Sequence, residues 1–191
     1  MYNQEGLEAL ELFNTKAEIL KNSSFVKFLR EQRTGIIISW EKDKPVAIEP
    51  RWPDVEALRA FALTFRFFIQ KKETCSIRNV ARIYDDLSIS QEKKDLFKNA
   101  RKNLNQFLDS DSPAKIDHQA VTRREILRAF MYGELAHADR SKKEMLDLWL
   151  SYPLFDAVVF TEFIYILWVF VTFIEWVSSL NKEVLEELGK R

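Results

Sequence analysis

The chain has 191 residues, 47% of them hydrophobic and 30% charged, a globular balance that excludes a disordered or low-complexity protein. Lys plus Arg and Asp plus Glu are both 29, so no overall field draws the chain to nucleic acid or an anionic membrane. Four glycines and a single cysteine exclude a phosphate-cradling glycine loop, an internal disulfide and a multi-cysteine zinc site.

So few glycines and prolines favour long helices, and the spacing predicts a mainly α chain. Leu7, Leu10, Phe13, Ala17 and Leu20 recur at helical spacing. Asn22, Ser23 and Ser24 end that helix, and a short one with Phe25, Phe28 and Leu29 on one side follows. Met1–Asn22 is polar and amphipathic, not a secretory signal. Together with the lone Cys75, this places the expected compartment in the cytosol. Ile36–Trp40 and Val46–Ile48 are β-branched and flank a Lys-Asp-Lys-Pro turn, so one small β-hairpin is expected near residues 36–48, packed on the helices through Trp40 and Trp52. Pro50–Pro53 is the best internal boundary. One domain over 1–191 is expected, with 1–50 as a subregion and 54–191 as the helical core.

Asp54 reads as an N-cap, and Val55, Leu58, Phe61, Ala62, Phe65, Phe68 and Ile69 form a broad apolar stripe. Thr74 or Ser76 opens a shorter helix. Ser90 opens the next, with Leu96, Phe97, Ala100, Leu104, Phe107 and Leu108 expected to face inward. Asp109–His118 is polar, contains a proline and reads as a loop. Two capping boxes follow, Thr122-Arg-Arg-Glu125 and Ser141-Lys-Lys-Glu144, each opening a helix. Pro153 suits the first position of the final helix.

That final helix reads as apolar all round, through Phe163, Ile166, Val169, Phe170 and Phe173, and is expected to be the buried hub of the bundle. Ala157–Ile174 is eighteen residues with one charge, Glu162, so its length also permits a membrane span. The expected partner of Glu162 is Arg66, with Glu175 the other candidate for that arginine, because a carboxylate on an apolar helix should not be buried alone.

No HExxH, HxxxH or CxxC spacing exists, so no metal or other cofactor is expected. Cys75 reads as a small buried apolar residue. Lys93, Lys94, Lys98, Arg101 and Lys102, with Arg78 and Arg82, read as a solvated charged face. Nucleic-acid contact is the alternative use of those cations. The stretch Arg128–Arg140 (RAFMYGELAHADR) carries the catalytic candidates. His137 falls at a helix C-terminus, where the dipole favours its charge, with Glu134 three residues earlier and Arg128 upstream. Arg66, Tyr132 and Arg140 are the binding candidates beside it. The structural alternative is a Glu134–His137 cap that fixes the turn before Ser141.

Leu135-Ala136-His137-Ala138 resembles the segment at which HEPN domains carry their histidine. The family's arginine stands a few residues before it. Here Phe130, Met131 and Tyr132 hold those positions, and the nearest upstream arginine is Arg128. The resemblance implies a small helical bundle, dimers that cut RNA with His137 handling the proton, or an inactive relative that binds a partner. The reading favoured by the residues is a helical module that binds itself or another protein, and the alternatives are the ribonuclease and a membrane-anchored protein.

Overall fold

The structure, a computed structural model, describes residues 4–31, 36–41, 44–50, 55–69, 73–116, 119–128 and 157–189. Among them it is mainly helical, with seven helices and two separate two-stranded antiparallel hairpins. α1 (Gln4–Lys21) buries Leu10, Phe13, Ala17 and Leu20, the face that its spacing predicts. The break before α2 (Ser24–Glu31) is made by Ser23, whose Oγ donates to Leu20 O (2.7 Å) and accepts from Val26 N (3.3 Å).

β1 (Ile36–Glu41) and β2 (Lys44–Pro50) form the expected hairpin, with a register shift between Ser39 and Trp40. The Trp40 and Trp52 side chains proposed to anchor it lie outside the described residues. α3 (Val55–Ile69) carries the aromatic spine of the bundle. Phe61 packs against Phe25 of α2 at 4.5 Å between ring centroids, and Phe68 meets Phe13 of α1 edge-on at 4.9 Å. Phe65 meets Phe170 of the last helix edge-on at 5.1 Å.

α4 (Ile77–Asp86) is capped by Ser76, whose hydroxyl accepts from Asn79 N (3.2 Å). It stacks Tyr84 on Phe97 of α5 (Gln91–Asp109) at 4.6 Å. Ser90 occupies the N-cap of α5 without a side-chain cap bond. Phe97, Leu104 and Leu108 face inward as expected, but Leu96 is 47% exposed. It sits one residue, about 100°, round the helix from Phe97, beyond the buried arc.

The expected loop 109–118 is largely strand. β3 (Asp111–Ile116) pairs with β4 (Gln119–Thr122), Lys115 opposite Ala120 and Ile116 opposite Gln119. Pro113, which has no N–H, falls where the register is irregular between Asp111 and Lys115, so it breaks no ladder bond there. The capping box then opens α6 (Arg123–Arg128): Thr122 N donates to Glu125 Oε2 (2.7 Å), and Glu125 N donates to Thr122 Oγ1 (3.3 Å).

α7 (Ala157–Gly189) runs 33 residues, about 50 Å at 1.5 Å per residue, and packs against α1, α2, α5, α6 and β3. Phe163, Ile166, Leu167, Ile174, Val177 and Val184 are almost fully buried. The helix is not apolar all round. Tyr165, Trp168, Thr172, Ser179, Lys182 and Glu186 are exposed at alternating spacings of three and four, with half-buried Glu175 between Thr172 and Ser179, which makes one outward stripe. Among the described residues, Thr161–Gly189 is the one helix long and apolar enough to cross a membrane; 61% of its most apolar window is buried.

Candidate functional site

Most of the residues proposed from the sequence as a catalytic or binding set lie outside the described residues. His137, Glu134, Tyr132 and Arg140 are outside the described residues, as are the second capping box and Pro153. Arg128 is the last described residue of α6, and its side chain is also outside. Arg66 is half-buried on α3 and already engaged.

The proposed Arg66–Glu162 pair is replaced by another. Glu162 is 7% exposed and accepts from Arg123 Nε at 2.5 Å. Glu175, the other carboxylate proposed for Arg66, pairs with Arg30 of α2. Arg123 wins because the capping box holds it at the first position of α6, against the N-terminal half of α7. Its guanidinium also donates to Ser110 Oγ (2.6 Å) and lies 4.7 Å over the Phe107 ring, and its backbone N donates to Ser110 O (3.2 Å). One arginine thus ties the end of α5, the second hairpin and the hub helix together. The next residue, Arg124, donates to Asp109 Oδ1 (2.5 Å) and Asn105 Oδ1 (3.1 Å).

Beside this node is a pocket of about 800 Å³ between α2 and α7, lined by Leu29, Arg30, Thr161, Glu162, Ile164, Tyr165 and Trp168. Its volume falls within the range of ordinary ligand sites, and its walls are mostly apolar. Both charged lining residues are already paired, Arg30 with Glu175 and Glu162 with Arg123. What remains on offer is shape and apolar contact. Tyr165 is 49% and Trp168 40% exposed, the former edge-on to Phe107 at 5.6 Å. Reading the final helix as apolar all round and buried left no outward side for these two rings, because aromatic content hid the three–four spacing of the stripe.

Two buried groups complete the electrostatics. Tyr84 Oη donates to Asn181 Oδ1 of α7 (2.9 Å), while Asn181 Nδ2 has no partner. Burial, with Glu183 adding to it, pushes the Tyr84 phenol well above its ordinary pKa. Cys75 is 1% exposed, as expected of a small apolar residue, and its thiol donates weakly to Phe67 O (3.8 Å). Burial is the main cause that pushes its pKa up. Among the described residues no group of three or more His, Cys, Asp or Glu is placed to hold a metal ion.

In comparisons with protein-family models, curated proteins and solved structures, nothing matches this chain.

Proposed function

We propose that the chain is a protein-binding module that associates with a second copy of itself across the α2–α7 pocket. The observation that carries this is the side-by-side placement of two half-exposed rings, Tyr165 and Trp168, and an apolar hollow that they help to line. A two-fold axis requires one patch to be its own complement, and a partly exposed Trp168 in the lining of an apolar pocket suits that requirement. Tyrosine and tryptophan are enriched at interface centres. The zero net charge of the chain adds no long-range repulsion between copies.

Magnitudes set the expected strength. Covering the exposed remainder of four rings removes roughly 350–400 Å² from water, about 9 kcal/mol at 25 cal/mol per Å². Association costs about 4–15 kcal/mol in lost freedom. The rings alone therefore about break even, and Leu29 and Ile164 must contribute for a dimer to form in the micromolar range.

Light scattering on a dilution series is the test. The wild type is expected to shift from dimer to monomer on dilution, and Trp168→Glu to remain monomeric with an unchanged melting midpoint. A wild type that is monomeric at every concentration, or a Trp168→Glu that dimerises normally, would overturn the reading.

A further inference from the structure

A second cleft, about 760 Å³, lies between α4 and α5, and its charges are organised in a way that the self-docking surface does not use. On α5, Lys94, Lys98, Arg101, Lys102 and Asn105 line it, at spacings that put all five on one face of the helix. Lys94 to Lys102 covers about 12 Å along the axis. On α4, Arg78 and Arg82 are exposed on the side that also carries the lining residues Ala81 and Asp85.

Most cations elsewhere on the described surface are spoken for. Lys93, next to Lys94 in the chain, pairs with Glu187 at 3.1 Å, while Arg30, Arg123 and Arg124 each hold a carboxylate. Around the cleft the pattern reverses. Lys94 Nζ donates only to the backbone O of Asp85 (2.9 Å), and among the described residues Lys98, Arg101, Lys102, Arg78 and Arg82 have no hydrogen-bond or ion-pair partner. Two carboxylates line the cleft with the four lysines and arginines of α5: Asp109 is held by Arg124, and Asp85 is exposed at the end of α4 beside Asp86. Asp95, a carboxylate that accepts from the neutral Gln91 amide (2.9 Å), and Glu92 are not among the lining residues. A chain of zero net charge has thus gathered unpaired positive charge along one cleft.

We propose that this cleft binds a linear run of phosphates, recognised through their oxygens alone. Arginine forks and lysine ammonium groups suit phosphate oxygens, and Asn105 adds an amide. At about 3.4 Å per phosphate along a stacked strand, 12 Å takes three to four of them. The aromatic lining residues, Tyr84 and Phe97, are stacked on each other and buried, so no ring is presented to a base. An oligonucleotide backbone and inorganic polyphosphate therefore supply the same chemistry.

The experiment is fluorescence anisotropy of a labelled single-stranded oligonucleotide with the full chain, repeated with inorganic polyphosphate as competitor. Four phosphate contacts give a slope of log K against log salt of about −2.8, or about fifty-fold weaker binding at 200 mM than at 50 mM salt. Polyphosphate is expected to displace the oligonucleotide fully. The triple variant Lys98→Ser/Arg101→Ser/Lys102→Ser is expected to bring the slope to about −0.7, and Lys98→Arg/Lys102→Arg to retain binding. Absence of binding at 50 mM salt, an unchanged slope in the triple variant, or failure of polyphosphate to compete would each overturn the proposal. Trp168→Glu leaves this binding intact, which separates it from self-association.

Discussion

Replacing Arg123 with methionine isolates the contact that joins the hub helix to the α5–α6 corner. The Glu162 and Arg123 side chains are 8% and 18% exposed, so the pair belongs with buried ion pairs and not with surface ones. Removing one partner of a buried pair costs about 3–5 kcal/mol, because the other charge is left in apolar surroundings. Arg123→Met also gives up the bond to Ser110 Oγ and the position over Phe107, which places the loss at the upper end. Replacing both partners, as Arg123→Met/Glu162→Leu, removes the stranded charge and is expected to come within about 1 kcal/mol of the wild type. Urea unfolding followed by tryptophan fluorescence measures this. With a slope of about 1–3 kcal/mol per molar, a loss of about 5 kcal/mol lowers the midpoint of the single variant by roughly 2–5 M. A single variant within about 1 kcal/mol of the wild type, or a double variant no better than the single, would refute the assignment of Arg123 as the partner that keeps Glu162 buried.

Two further outcomes follow from the buried groups. Tyr84 titrates above its unfolded value of about 10, so its contribution is complete below that pH and declines as pH rises further. Tyr84→Phe should flatten the alkaline limb of a stability–pH curve and cost about 1–3 kcal/mol at pH 7, since Asn181 Oδ1 loses its donor; an unchanged limb would contradict this. Cys75, buried with a raised pKa, should react with iodoacetamide at pH 8 only after denaturant is added, and rapid labelling of the native chain would show the thiol is open.

The parts of the fold that a repeating side-chain pattern encodes were legible from the sequence. The spacing of Leu10, Phe13, Ala17 and Leu20 marks the buried face of α1, and the Thr122–Glu125 box marks the start of α6 because both of its bonds are local. The second hairpin was not legible. Asp111–Ile116 is held by backbone pairing, and its alternation of exposed Asp111, Pro113 and Lys115 with inward Ser112 and Ala114 rests on side chains too small to announce a strand. The partner of Glu162 was missed because spacing along a chain carries no information about which helix end arrives beside it. Arg123 reaches it through the corner made by Ser110 and the hairpin. Of the candidate sites, the cation stripe on α5 was readable residue by residue, but the excess of its cations over the carboxylates that line the same cleft became visible only with those carboxylates placed. The pocket at Trp168 was obscured by the reading of the last helix as apolar all round.

In this fold α7 is a hub enclosed by protein, with one stripe from Tyr165 through Trp168 and Thr172 to Glu186 facing outward. Hydrogen exchange on the chain in detergent-free buffer tests it most directly. The expected result is that the amides from Phe163 to Val184 exchange last, through global unfolding alone, and that acrylamide reaches Trp168 in the dilute monomer. Rapid exchange through that segment, or a chain that keeps its fold only when lipid or detergent is added, would contradict it.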